Sequence, residues 1–219
     1  MSIDIAAMSD AQKLAYAKAT GSVLLDSGTI TSPVEFIDLT LPSGYVSFKI
    51  VGNNFVAPYN STIAGAVSID GGSTFFCDGT NFDTYGAIRS ASWIDDSNAY
   101  NSSFNGDKGR DSLMYLTDTQ GTAGDGADFY VDFAPGSVSK GFRAGITGYD
   151  VALDASAGLQ IAIKWNNLQF LNPAPIAGAP TLGRVNVFRF MPYGTGDCPP
   201  TSGNTINAGS YFLFGLATP

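Results

Sequence analysis

The sequence predicts an all-β protein, an antiparallel β-sandwich of jelly-roll-like form with one short N-terminal helix. Apolar and polar residues alternate with a period of two in several short segments, which is typical of half-buried strands. Clusters of Gly, Pro and Asn separate these segments, as tight turns between strands require. Of the 19 acidic residues only Glu35 is a glutamate, and Asp favours turns where Glu favours helices.

The composition is that of a folded domain with an acidic surface. With 219 residues, 44% of them hydrophobic and 14% charged, the chain is able to bury a full core without disulfides. A net charge of −8 opposes contact with phosphate backbones, so we expect no nucleic-acid partner. The N-terminal residues lack the basic and apolar regions of a signal peptide, and no apolar run is long enough for membrane insertion.

One helix is predicted close to the N-terminus. Ser9 and Gln12 have the spacing of a capping box, and Gly21 lies where a left-handed residue commonly ends a helix. A helix of this length is not stable alone in water, so it must pack against another surface.

The surface that receives this helix is left open by the sequence. Its narrow apolar stripe consists of Ala11, Leu14 and Ala15. The helix either packs on its own domain or belongs to an arm, residues 1–21, that reaches a neighbouring subunit through Leu14 and Tyr16. In the second case the β-sandwich, residues 22–219, would stay folded without the arm but would no longer assemble.

Two alternating segments, "FIDLTL" and "YVSFKIVG", predict a β-hairpin. Their apolar residues fall on one face of each strand: Ile37, Leu39 and Leu41 in the first, and Val46, Phe48 and Ile50 in the second. Pro42-Ser43-Gly44 lies between them and has the composition of a short turn.

Further strands follow the same pattern, and together they number about ten. "DFYVDF" predicts that Phe129, Val131 and Phe133 face inward while Asp128, Tyr130 and Asp132 face outward. "LQIAIKW" predicts a strand that points Leu159, Ile161, Ile163 and Trp165 to one side. Strands are also predicted near 62–69, 84–94, 112–117, 141–149, 184–191 and 208–215, with loops at 172–180 and 192–203.

The octapeptide "SIDGGSTF", residues 68–75, predicts a tight turn. Its structural residues are Ser68, Asp70, Gly72 and Thr74. The stretch resembles the Asp box of sialidases, with Phe75 at the position usually held by Trp. The resemblance implies a hairpin turn in which Asp70 accepts backbone hydrogen bonds, glycines adopt positive φ, and the terminal aromatic packs underneath. The motif occurs once, and the chain is too short for a six-bladed propeller, so it predicts architecture and not sialidase activity.

Catalytic chemistry has few candidates in this sequence, and we expect no enzyme and no cofactor. The chain has no histidine, which removes Ser-His-Asp and Cys-His schemes and the usual zinc ligand sets. Acid pairs such as Asp95-Asp96, or Asp150 with Asp154, are interpreted as solvated loop residues. No glycine-rich phosphate loop is present.

Two further features stay open. The segments 105–111 and 118–128 are rich in oxygen ligands of the kind that calcium prefers, but neither has EF-hand spacing. Cys77 and Cys198 are interpreted as reduced, buried thiols, with a single disulfide as the alternative.

Three stretches together resemble the β-sandwich proteins of tailed-phage virions, the head-fibre, spike, decoration and tail-fibre class. They are "SGTITSPVEFIDLTLPSGYVSFKIVG", "AGAVSIDGGSTFFCDGTNFDTY" and the closing "NTINAGSYFLFGLAT". The resemblance implies a non-enzymatic virion subunit, assembled in the host cytoplasm, that docks on other virion proteins through its N-terminal segment. It also implies a homo-oligomer, with a trimer favoured.

The alternative function is a receptor- or carbohydrate-binding adhesin used in host attachment. Tyr100 and Tyr193 are the candidate contacts to a ligand such as a host-surface glycan, because loop tyrosines are common in recognition surfaces.

Overall fold

The computed structural model describes residues 4–58, 61–73, 75, 92–93, 100–101, 114–116, 126–136, 143–154, 158–169, 184–193 and 204–218. For 92–93, 100–101, 114–115, 143–154 and 158–169, and for residues 62 and 193, it describes the backbone alone.

The described elements are one helix and a series of strands. The helix α1 covers Asp10–Thr20. The strands are β1 Ser22–Ile30, β2 Ile37–Thr40, β3 Ser47–Val56, β4 Thr62–Ser68, β5 Ser92–Trp93, β6 Tyr100–Asn101, β7 Met114–Tyr115, β8 Ala127–Ala134, β9 Arg143–Asp154, β10 Gly158–Gln169, β11 Val187–Tyr193 and β12 Ala208–Leu216. The all-β prediction with one short helix is therefore confirmed for this part of the chain.

Most of the strands are arranged in two antiparallel sheets. The larger sheet has the order β1-β12-β3-β8-β9-β10, and the smaller has the order β2-β11-β4-β7. β5 and β6 form a separate two-stranded pair. The predicted strands near 62–69, 112–117, 141–149, 184–191 and 208–215 correspond to β4, β7, β9, β11 and β12, whereas only Ser92–Trp93 of the predicted 84–94 strand is described.

The two sheets face each other across a core of phenylalanine rings. In β8 the predicted alternation is confirmed, since Phe129, Val131 and Phe133 are buried and the residues between them are exposed. Across the core, the ring centroid of Phe129 lies 5.3 Å from that of Phe190 on β11, and Phe133 lies 5.8 Å from Phe188. These distances suit tilted or edge-on aromatic pairs, which stabilise beyond the area they bury.

The predicted hairpin between residues 37–41 and 46–50 is wrong. β2 pairs with β11 in the smaller sheet, whereas β3 pairs with β12 and β8 in the larger sheet. The chain instead crosses from the smaller sheet to the larger sheet between β2 and β3. The apolar side chains of these two strands therefore enter the same core from opposite sides. Period-two alternation determines which face is buried and carries no information about which strand is the neighbour.

This crossing is fixed by backbone hydrogen bonds at both of its ends. The amide of Leu41 donates to the carbonyl of Asn186 (2.8 Å), and the amide of Val46 donates to that of Leu216 (2.9 Å). Tyr45 is buried within the crossing, but Val46 is 49% exposed. The expectation that Val46 faces the core together with Phe48 is wrong, because β3 begins at Ser47 and Val46 lies outside its alternation.

The helix ends as predicted. Ser9 and Gln12 form a reciprocal capping box, and Gly21, at φ 90°, donates its backbone N–H to the carbonyl of Ala17 (2.7 Å). These contacts satisfy backbone groups that the helix itself leaves without partners.

The side of the helix that packs is not the predicted stripe. Ala11 and Ala15 are exposed, and Ala17 is fully buried in the same cluster as the core of the two sheets. Leu14 and Tyr16 are half-buried and pack against this cluster. The stripe prediction is therefore corrected, because the packed face is centred on residues 13, 14, 16 and 17.

We predict that Ala17→Leu lowers the free energy of unfolding by about 1–3 kcal/mol, because added methyl groups overpack a closed contact. Ala15→Leu is the matched control, since Ala15 is exposed one half-turn earlier in the same helix. Chemical denaturation of both variants measures the difference. Equal stabilities would contradict the placement of Ala17 in the core.

Candidate functional site

The turn at the end of β4 is organised by the hydroxyl group of Ser68. This side chain is fully buried. Its Oγ accepts hydrogen bonds from the backbone amides of Gly72 (2.9 Å) and Asp70 (3.3 Å), and it donates to Oδ1 of Asp70 (2.7 Å). Gly71 and Gly72 have φ values of 78° and 90°, so the predicted positive φ is confirmed.

Asn186 connects this turn to the beginning of β11. Its Oδ1 accepts from the amide of Gly71 (3.1 Å), and its Nδ2 donates to the carbonyl of Ile69 (2.9 Å). Its own backbone amide donates to the carbonyl of Ser68 (2.9 Å). Asn186 is not predictable from the octapeptide, because 115 positions separate it from Gly71.

Next to the turn, Arg189 lies between two aromatic rings. Its Cζ is 3.7 Å from the ring centroid of Phe36 and 3.8 Å from that of Phe75. Its Nε and Nη2 donate to the two carboxylate oxygens of Asp38, at 2.6 and 2.7 Å. We call Arg189, Asp38, Phe36 and Phe75 the arginine clamp.

The position of the clamp follows from the strand register. Arg189 on β11 is directly opposite Asp38 on β2. The guanidinium and the carboxylate therefore form a bidentate ion pair without a bend in either strand. Phe75, the aromatic of the Asp-box stretch, packs on one face of the guanidinium. The clamp therefore joins the turn, both strands and the segment that contains Phe36.

The clamp has little capacity left for a ligand. Both faces of the guanidinium are covered by rings, its charge is matched by one carboxylate, and the Arg189 side chain is only 12% exposed. An oxyanion that bound the Nε and Nη2 donors would have to displace Asp38. This geometry favours a structural role for the octapeptide region.

The smaller sheet is buried on both faces at its central positions. Phe188 and Phe190 point into the core, and the alternate positions point the other way. Of these alternate positions, Ala64, Ala66 and Met191 are fully buried. The smaller sheet therefore offers no broad apolar surface at its described central positions.

The larger sheet has a different second face, which we call the outer face. Its described members are Ser22, Leu24, Ser27, Thr29, Ser47, Lys49, Val51, Asn53, Asp128, Tyr130, Asp132, Ser210, Phe212, Phe214 and Leu216. The aliphatic residues and the two phenylalanines are half-buried, and the three charged residues are exposed. Tyr130 is 38% exposed. The part of this surface around Val51 combines aromatic and aliphatic groups with a few charges, as the centre of a protein interface does, whereas the part on β1 is lined mainly by serine and threonine.

Tyr45 and Arg184 both pack near the ring of Phe48. The ring centroid of Phe48 is 5.9 Å from that of Tyr45 and 5.8 Å from Cζ of Arg184. Burial, and to a smaller extent the charge of Asp10, raises the pKa of the Tyr45 hydroxyl, and burial lowers the pKa of Arg184. Within the described part of the chain, the buried Oη of Tyr45 and Nε of Arg184 have no hydrogen-bond partner. Nη2 of Arg184 donates to the carbonyl of Pro42 (3.0 Å), so the arginine joins the crossing to the segment that leads into β11.

The sequence-predicted site residues are not brought together. Ser68, Asp70 and Gly72 form the turn, and Thr74 lies outside the described residues. Tyr100 belongs to β6 and Tyr193 ends β11, in different sheets, and only their backbones are described. Leu14 and Tyr16 contact the core of their own chain, so their docking on a partner stays a prediction.

Only some of the residues considered for metal binding, and neither cysteine, belong to the described part of the chain. Among the described residues, no group of three or more Cys, Asp or Glu side chains is placed to hold a metal ion. The predicted calcium segment 105–111 and most of 118–128 lie outside this set, as do Cys77 and Cys198. The one helix found, α1, is too short to cross a membrane.

Comparison with known proteins found no matching family model, no matching curated protein and no matching solved structure.

We predict that Arg189→Lys destabilises the fold by about 1–2 kcal/mol, because lysine keeps the charge but loses the two-point ion pair and the flat stacking surface. A thermal or chemical unfolding curve measures the loss. Asp38→Asn and the double variant complete a cycle, in which the two losses should be strongly non-additive. Strict additivity would contradict the clamp.

We predict that Ser68→Ala destabilises the protein by about 1–3 kcal/mol, because two backbone amides lose a buried acceptor. Ser73→Ala is the matched control. Ser73 is exposed, and its hydroxyl donates one hydrogen bond to the carbonyl of Asp70 (3.2 Å). Denaturation midpoints of the two variants should differ clearly, and a Ser68→Ala variant as stable as the Ser73→Ala variant would argue against a central role for Ser68.

Proposed function

We propose that this chain is a non-enzymatic structural subunit of a tailed-phage virion, of the decoration, head-fibre or tail-fibre kind. In this proposal its sandwich has jelly-roll-like connectivity, and it functions as a homo-oligomer bound to other virion proteins. The resemblance of three sequence stretches to virion β-sandwich proteins motivates the proposal.

The observation that carries it is the outer face of the larger sheet. An assembly protein needs a broad surface that a partner is able to bury, and aromatic residues are enriched in such surfaces. Phe212 and Phe214 lie on neighbouring outward positions of β12, next to Val51 and the exposed Tyr130. We therefore propose the outer face as the assembly surface.

This proposal changes the role given to the N-terminal segment. Leu14 and Tyr16 already pack against the core of their own chain, so they have less surface to offer a partner. In the proposal, α1 stabilises the end of the sandwich, and the outer face is the surface used in assembly.

The proposal is tested with particles isolated on a density gradient from the host that produces them. We expect the wild-type chain to migrate with the particles in a fixed ratio to the other virion proteins, as measured by quantitative mass spectrometry. A chain that stays with unassembled protein at the top of the gradient would contradict the proposal.

Two lysine variants, supplied to particles that lack the chain, test the assembly surface. Val51→Lys puts a charge at the centre of the outer face, and we expect it to remain folded but absent from particles. Val46→Lys is the control, because Val46 is exposed and precedes β3, outside the residues that form the outer face, so its replacement should leave incorporation unchanged. Equal incorporation of both variants would assign assembly to another surface.

A further inference from the structure

We propose that the outer face binds the outer face of a second copy of this chain, around a two-fold axis that runs parallel to the strands between β3 and β8. This inference rests on the proposed function and deepens it, because it identifies the partner of the assembly surface.

The first argument is the pattern of charges on the outer face. Lys49 on β3 and Asp132 on β8 occupy directly opposite positions in the register, and both are exposed. No ion pair joins them among the described interactions. Instead, the ammonium group of Lys49 lies 5.9 Å from the ring centroid of Tyr130. A cation and an anion are thus presented side by side at the same level along the strands.

The second argument is what a two-fold rotation does to this pattern. Rotation about an axis parallel to the strands keeps each residue at the same height along the strand direction. It places β3 of one copy opposite β8 of the other copy. Lys49 of each copy then faces Asp132 of the other, and Val51 of each copy faces Tyr130 of the other. Packed sheets lie about 10 Å apart with nearly aligned strands, and a lysine and an aspartate side chain together span that distance. The interface would be isologous and self-complementary, as two-fold symmetry requires.

The third argument selects a copy of the chain over another partner. With a net charge of −8, two copies repel each other in most orientations. Lys49 is the single cation among the described side chains of the outer face. In the two-fold arrangement each of the two Lys49 side chains faces Asp132 of the other copy, so the dimer contains two such contacts. The half-buried Leu24, Phe212 and Phe214 lie beside these positions and supply apolar area that the contact would remove from water.

Light scattering coupled to size exclusion, over a range of protein concentrations, tests this inference on the purified full chain. We expect wild type to form a dimer. Lys49→Asp and Asp132→Lys should each raise the dimer dissociation constant about ten-fold or more, because each creates two like-charge contacts at the interface. Lys18→Asp is the charge-matched control, because Lys18 is exposed in the last turn of α1, and it should leave the dimer unchanged.

Mixing the two impaired variants is the decisive measurement. A copy with Lys49→Asp presents two acids on the outer face, and a copy with Asp132→Lys presents two cations. The mixture should therefore form a one-to-one heterodimer at concentrations where neither variant dimerises alone. The double variant, Lys49→Asp with Asp132→Lys, should dimerise like wild type.

Three results would overturn the inference. They are a wild-type monomer at every concentration, a trimer, or a dimer that neither single variant weakens. None of them decides whether the chain migrates with particles, so a failure of the two-fold contact is distinguishable from a failure of the proposed function. A mixture of variants that stays monomeric while wild type is dimeric would assign dimerisation to another surface.

Discussion

The architecture depends on aromatic rings that fit over glycines in neighbouring strands. Gly52 on β3 lies directly opposite Phe129 on β8, and a Cβ at that glycine would collide with the phenylalanine ring. Because Gly52 has no side chain, the ring of Phe129 is able to lie over it on the inner face of the sheet. There the ring contacts Phe55 and Phe190 in the core. Any side chain at position 52 would lift the ring and push the two sheets apart.

The same device recurs near the edge of the larger sheet. Tyr211 on β12 covers Gly28 on β1, its register partner, and Tyr45 covers Gly215. In strands, glycine loses backbone entropy and offers no side chain to pack, and a ring laid over it recovers buried area. The many glycines of this sequence are therefore partly components of the core and not only of turns.

Local features of this fold were predictable from the sequence, and pairings between distant segments were not. The alternation of residues 128–133 and the capping box at Ser9 involve neighbours along the chain, and both are present. The arginine clamp combines residues 36, 38, 75 and 189, and no local pattern contains them. β1 is not among the segments whose alternation predicts a strand, because its register shifts between Leu24 and Asp26 and breaks the period of two.

The order of strands in the larger sheet has a consequence for how the protein is made. β12 lies between β1 and β3 and pairs with both. On the ribosome, β1 and that edge of β3 therefore lack this partner until the residues of β12 emerge, after those of all the other described strands. Lys13 donates from Nζ to the carbonyl of Leu25 on β1 (3.3 Å), and the bulge nearby twists this strand. Both features discourage the pairing of this edge strand with a foreign strand.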